Sequence, residues 1–141
     1  MKNLFYFAVF SFLFSPTIYG HHAFTAEFDA NAPINITGKV VKVEWINPHA
    51  WVHVEVKEGS TATVWMVEGG TPNTLIRNGL TKNSIKPGTV INVRGYQSKG
   101  KLCLPRCIAN GRDITFPDGR KVFMGSSGTG APRDGSDPRE R

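Results

Sequence analysis

The sequence predicts an all-β domain with one short helix, arranged as an OB-like five-stranded β-barrel with a small C-terminal hairpin. Three observations predict this class. Runs rich in β-branched residues alternate with turn signals along most of the 141-residue chain. A helical pattern interrupts them once, between the third and fourth runs. After the fifth run, a Pro-Asp-Gly turn begins a short extra hairpin. A five-stranded barrel with its helix after strand three is the OB architecture.

The first three strands follow from β-branched runs. Residues 33–45 (PINITGKVVKVEW) form a long first strand, with Gly38 as a bend or bulge. Residues 51–57 (WVHVEVK) show the cleanest alternation of the chain, with the valines on one face. Residues 61–68 (TATVWMVE) form the returning strand.

The Gly-Ser pair at residues 59–60 predicts how the second and third strands pair. Gly-Ser suits a two-residue hairpin turn whose first position needs positive φ. The register that follows places Val54 opposite Trp65 on the core side and His53 opposite Met66 on the outer side.

The remaining elements follow from changes of pattern. Residues 71–80 (TPNTLIRNGL) open with a capping Thr and a Pro and close on Asn-Gly, which predicts a helix of about two turns. Residues 89–97 and 107–116 form the fourth and fifth strands, and residues 120–123 form the short last strand.

The N-terminus has the layout of a secretory signal peptide over residues 1–20. One Lys precedes an apolar run at residues 4–14, and Gly20 is the small residue before the cut. We therefore expect a periplasmic or secreted protein with a barrel domain over residues 21–124. Residues 125–141, rich in Gly, Ser, Pro and charges, are expected to be a disordered tail.

Charge and hydropathy narrow the partners. The chain carries a net charge of +6, from 17 Lys and Arg against 11 Asp and Glu. The basic residues are spread singly, whereas a nucleic-acid binder would cluster them. No nucleic-acid partner is therefore expected. No later stretch is long and apolar enough to predict a transmembrane anchor after processing.

The predicted register gathers chemistry-bearing side chains on the outer face of strands two and three. The patch comprises His49 with Trp51, His53, Met66 and Glu68, and the last four are the candidate ligand-binding residues. This is the face that OB domains commonly use for ligands. The alternative is an ordinary solvated surface.

The four histidines also suggest a metal site. His21 and His22 begin the expected mature chain, and His49 and His53 share a strand face. An N-terminal His offers its α-amine and a ring nitrogen to Cu(II), and imidazole suits copper or zinc. The chain has no complete ligand-spacing motif, so polar, hydrogen-bonded histidines remain the alternative.

Cys103 and Cys107 are the two cysteines of the chain. Nearby thiols in an oxidising compartment usually form a disulfide. In an extended strand they would lie about 13 Å apart, beyond the roughly 7 Å limit for bridging, so Leu104-Pro105 would have to turn the chain. The sequence leaves a disulfide, metal binding and redox catalysis open.

No catalytic constellation stands out, so a non-enzymatic role is expected. The acidic residues Glu44, Glu55 and Glu68 alternate with apolar residues as surface positions do, and the Ser pair at 126–127 falls in the expected tail. No Ser-His-Asp set is recognisable.

Five segments carry a family resemblance: HHAFTAEFD, GKVVKVEWINPHAWVHVEV, GYQSKGK, NGRDITFPDGRKVF and GSSGTGAP. They resemble a family of small secreted bacterial proteins described as a domain of unknown function. The resemblance implies an OB-like barrel in the cell envelope and lends no activity.

The candidate residues leave two functions as alternatives. One is a binding module for a small ligand, a glycan or an envelope protein; the other is a copper or zinc protein.

Overall fold

The structure is a computed structural model, which describes residues 24–101, 103, 105–127 and 129–140. The predicted signal peptide and the predicted metal ligands His21 and His22 lie outside these residues. Among the described residues, no helix is long and apolar enough to cross a membrane.

Six strands and short helices make up the described chain. The helices are α1 (Phe24–Glu27), α2 (Pro72–Arg77) and a 3-10 turn at Pro138–Glu140. The strands are β1 (Phe28–Glu44), β2 (Trp51–Glu58), β3 (Thr61–Glu68), β4 (Val90–Ser98), β5 (Cys107–Thr115) and β6 (Lys121–Phe123).

The first five strands form a closed barrel. β1 pairs antiparallel with β2 and β4, β2 pairs antiparallel with β3, and β4 pairs antiparallel with β5. β3 runs parallel to β5, and this contact closes the barrel. β6 pairs with β5 as the extra hairpin. The predicted OB-like barrel is confirmed.

The β2–β3 hairpin has the predicted register. Glu58 pairs with Thr61 across the two-residue turn, and Gly59 has a φ of +60°. Val54 pairs with Trp65, as the turn chemistry predicted. Local sequence therefore determines this hairpin.

β1 is longer than predicted because it serves two partners. It begins at Phe28, five residues before the predicted start, and pairs with β4 along its first part and with β2 along its second. Gly38 lies where the strands approach closely: a Cβ there would meet the carbonyl oxygen of Glu55 at 2.3 Å. This close approach explains the glycine predicted to mark a bend.

α2 follows β3 and contributes to the core. The Thr71 hydroxyl accepts the backbone N–H of Thr74 at 3.2 Å and caps the helix. Leu75 is buried in the apolar core of the barrel. The helix ends earlier than predicted, at Arg77, and Gly79 then adopts a φ of +83°.

A second apolar cluster covers the outer surface of β4 and β5. Phe24 packs against Phe28 and Tyr96, with ring centroids 5.7 and 5.3 Å away. Ile108 and Ala131 pack against this cluster. The start of the described chain is thereby anchored on the barrel.

The described part of residues 125–140, here called the C-terminal segment, differs from the predicted disordered tail. Phe24 N–H donates to the Thr129 carbonyl at 2.9 Å, and Asp137 is buried. Buried Arg112 of β5 donates to the Pro132 carbonyl at 3.3 Å. The segment has few apolar residues, so composition could not reveal polar contacts to an arginine elsewhere in the chain.

Candidate ligand-binding face

One row of outward side chains crosses the ends of three strands. Glu44 of β1 pairs with Trp51 of β2, and Trp51 pairs with Glu68 of β3. The neighbouring positions Val52 and Val67 point inward and are buried in the core. Trp51 therefore lies on the outer face between two carboxylates.

A second row follows on the same face. Lys42, His53 and Met66 pair across β1, β2 and β3. We call the six residues of the two rows the Trp51 face. It is bordered by His49 from the loop at residues 45–50 and by Arg106, just before β5. OB domains also contact ligands through the loops after strand one and before strand five.

His53 faces outward as predicted, but it is not exposed. Its exposed fraction is 4%, and that of Glu68 is 8%. His53 occupies a central strand with Lys42 and Met66 beside it, and its Nε2 lies 3.1 Å from Glu44 Oε2. The predicted surface patch is thus corrected: cross-strand neighbours cover an outward residue whose strand is paired on both sides.

His49 makes the matching contact at the other side of Trp51. Its Nδ1 lies 3.5 Å from Glu68 Oε1 and 3.3 Å from the Gly69 carbonyl oxygen. In the loop before His49, the peptide bond between Asn47 and Pro48 is cis. Trp51 is therefore flanked by two imidazole–carboxylate pairs, Glu44–His53 and His49–Glu68.

His49 and His53 were predicted to share a strand face, but β2 begins at Trp51 and His49 lies in the loop before it, so the two imidazoles do not converge on one point. His53 contacts Glu44 and His49 contacts Glu68, on opposite sides of Trp51. Among the described residues, no group of three or more His, Cys, Asp and Glu side chains is placed to hold a metal ion.

Glu44 is an ionised partner in this site. Hydrogen bonds from Lys42 and from His53 lower its pKa below the ordinary value of 4.5, although desolvation opposes them. The carboxylate is therefore charged at neutral pH and available to an imidazole or to a ligand hydroxyl.

A disulfide, which the sequence left open, lies at the start of β5. Cys103 and Cys107 are bridged, with their Cα atoms 3.8 Å apart. A bend at Pro105 brings them together. Arg106 Nη1 lies 3.8 Å from Met66 Sδ, so the bridged loop contacts the Trp51 face directly.

Sequence reasoning missed Lys42 and treated Glu44 only as a surface position. Simple alternation from buried Val40 would turn both inward. A bulge between Val40 and Lys42 shifts the register. As a result Val43 points inward, whereas Lys42 and Glu44 point outward. The Val-Val pair at 40–41 was the available signal, since a bulge adds one residue to an alternating pattern.

These features define a small OB-type barrel with a tryptophan between two imidazole–carboxylate pairs. The model of the family of unknown function DUF6152 matches residues 13–103, which include the strands of the Trp51 face. The chain belongs to this family, and the predicted resemblance to a family of unknown function is confirmed. No curated protein matches the chain.

Proposed function

We propose that this protein is a non-enzymatic binding module of the cell envelope whose ligand site is the Trp51 face, and that the ligand is a saccharide. The observation that carries the proposal is the row in which Trp51 lies between Glu44 and Glu68, with His53 and His49 against them. An aromatic ring offers an apolar surface to a sugar ring. The partly exposed side chains of Glu44 and His49 beside it can bind sugar hydroxyls.

The contacts of the histidines hold the two imidazoles beside Trp51. In the described part of the chain, His49 and His53 contact carboxylates and a carbonyl. These contacts fix the imidazoles at the edge of the surface that we assign to the ligand.

A titration with sugars tests the proposal. The ¹⁵N-labelled mature protein, beginning at His21, is titrated with soluble peptidoglycan fragments and short glucans while amide shifts are followed. We expect shifts in residues 49–53 and 66–69. Trp51→Ala should weaken binding at least tenfold, about 1.4 kcal/mol.

Ile76→Ala is the matched control, because Ile76 is an exposed apolar side chain on α2. It should leave the affinity unchanged. Each sugar is tested up to about 10 mM, so that weak binding is detected. The saccharide proposal is refuted if no sugar changes the amide chemical shifts of residues 49–53.

The extracytoplasmic location is proposed from the sequence of residues 1–20. Cleavage after Gly20 leaves His21 as the first residue. The intact mass of the protein recovered from the periplasm or medium measures the cut. Recovery of the uncut chain alone, in the cytoplasm, contradicts the proposal.

A second candidate function, a copper or zinc site at His21, is favoured by the anchoring of Phe24. Phe24 packs on Tyr96, and Tyr96, Asn110 and Glu68 pair in one row across β4, β5 and β3. This row spans two strand spacings, about 10 Å. His21 precedes Phe24 by three residues, a reach of about 10 Å.

The α-amine and ring of His21 can therefore reach the His49–Glu68 pair, where His49 supplies a second imidazole. Elemental analysis of the untagged, processed protein measures bound copper and zinc. One added residue before His21 keeps every side chain and moves the amine, so Cu(II) affinity should fall at least tenfold. His49→Ala should weaken it more than His53→Ala, because His53 is buried against Glu44. Equal Cu(II) affinity with and without the added residue excludes an N-terminal site.

A further inference from the structure

Arg112 is the only lysine or arginine that is buried among the described residues, with 2% of its surface exposed. Its guanidinium carbon lies 5.0 Å from the ring centroid of Phe123. Its Nη2 donates to the Pro132 carbonyl at 3.3 Å, to Asp134 Oδ1 at 3.4 Å and to Glu140 Oε1 at 3.3 Å. All three acceptors belong to the C-terminal segment.

The donor fork of Arg112 is only partly used. Its Nε is buried and has no hydrogen-bond partner. The three contacts converge on Nη2 at distances longer than the roughly 2.7–2.9 Å typical of charged hydrogen bonds. Arg94 on β4 shows the contrast, since both its Nε and its Nη2 donate to Asp113, with Nε at 3.0 Å from Oδ2. Arg112 thus keeps a donor that its own carboxylates leave unfilled.

A cleft of about 430 Å³ opens beside Arg112. Three arginines, Arg112, Arg133 and Arg139, line it and outnumber its two carboxylates. Ser126 and Ser127 also line it, and a serine hydroxyl is a neutral donor. The cleft therefore combines positive charge with the donors that oxyanions require.

We propose that this cleft is a binding site for a phosphoryl oxyanion, which Arg112 holds through Nε and Nη2 together. A phosphoryl group presents several oxygens, so it can fill the bidentate fork while accepting from neighbouring hydroxyls. Asp134 and Glu140 already accept hydrogen bonds from Arg112, so they compete with the phosphoryl group for its guanidinium. The site lies on β5 and the C-terminal segment, and it is independent of the function proposed for the Trp51 face.

Hydrogen bonds within the C-terminal segment hold the two competing carboxylates, Asp134 and Glu140, in place. Glu140 Oε2 accepts the backbone N–H groups of Asp134 at 3.1 Å and Gly135 at 2.9 Å. Burial raises the pKa of Asp134, but hydrogen bonds from Ser136 and the charge of Arg112 outweigh it, so the net pKa is below 3.8. Asp134 is therefore negative at neutral pH and opposes an incoming anion. Removing the charge of Glu140 should favour the exogenous ligand.

The test is a titration of the ¹⁵N-labelled mature protein with inorganic phosphate at constant ionic strength and pH 7. We expect shifts at the amides of Arg112, Ser126 and Ser127. Glu140→Gln removes one competing charge and should tighten binding at least threefold. Arg112→Lys keeps a charge but loses the fork, so binding should weaken at least tenfold.

Arg120→Lys is the matched control, because Arg120 is exposed over Phe116 and does not line the cleft. Its affinity should equal that of the unaltered protein. If Arg112→Lys fails to fold, Glu140→Gln decides: unchanged affinity overturns the proposal. Absence of shifts at Ser126 and Ser127 in both the unaltered protein and Glu140→Gln also overturns it.

A short-chain monomeric lipid, dihexanoylphosphatidic acid, then separates two sources of the phosphoryl group. The same shifts at higher affinity than phosphate assign the site to a lipid headgroup, and equal or lower affinity assigns it to free phosphate. If both probes change amide chemical shifts only in residues outside the cleft, the proposal is overturned.

Discussion

Val54→Ala tests the inward face on which the barrel closure depends. Val54 is fully buried, at 0% exposure, and its strand neighbours Val40 and Trp65 are its pairing partners on β1 and β3. The substitution removes two methyl groups from the closed interior. It leaves the backbone pairing and the outer face unchanged.

The expected loss follows from the volume removed. Each methyl-sized group contributes about 0.8 kcal/mol on burial, so two contribute about 1.6 kcal/mol. The cavity left in a barrel paired on both sides of β2 cannot fully collapse, which raises the cost to about 2–3 kcal/mol. The neighbouring Glu55 faces outward, so Glu55→Gln should change the free energy of unfolding by less than about 0.5 kcal/mol.

Urea unfolding of the mature protein, followed by tryptophan fluorescence, measures both variants. With a urea m-value of about 1–3 kcal/mol/M, a loss of about 2–3 kcal/mol means that Val54→Ala should lower the midpoint by roughly 0.7–3 M. Equal losses from Val54→Ala and Glu55→Gln would refute the assignment of the two faces. A loss below about 0.5 kcal/mol for Val54→Ala would refute tight packing of the interior.

Two further predictions concern the site and its bordering loop. The lowered pKa of Glu44, caused first by Lys42 and then by His53, means that its ion pairs stabilise the fold above about pH 4.5 and are lost as pH falls through the folded pKa. Glu44→Gln should therefore be less stable than the unaltered protein at pH 7, and the difference should shrink in urea titrations as the pH falls below 4.5; a difference that grows as the pH falls contradicts the pairing. Reduction of the Cys103–Cys107 disulfide releases a short loop and should lower the free energy of unfolding by about 2 kcal/mol. Unfolding with and without dithiothreitol measures this loss, and an unchanged midpoint would show that the bridge does not constrain the unfolded chain.

Turn chemistry and alternation made most of the barrel predictable. A Gly-Ser turn between two alternating runs allows few registers, and the predicted pairing of Val54 with Trp65 is the observed one. The Thr-Pro start of α2 is similarly local, because a hydroxyl and a fixed φ act within one helical turn. These features depend on neighbours in the chain, which the sequence lists directly.

The candidate site was predicted only in part. Trp51, His53, Met66 and Glu68 do share one outer face, because period-two alternation holds along β2 and β3. Their burial and their partners were not predictable from the strand alone. Glu44 joins the face through a bulge in β1, and a one-residue bulge reverses which side chains point outward.

By itself, the sequence determined the OB-like class, the hairpin register and which side chains of β2 and β3 share the outer face, since these follow from patterns along the chain: the alternation, the Gly-Ser turn and the place of the helix in the strand order. The tertiary structure alone decided which carboxylate each histidine meets and how deeply His53 is buried. It also decided that the C-terminal segment lies against Arg112. These contacts join residues that are distant in the chain, and neither periodicity nor composition predicts them.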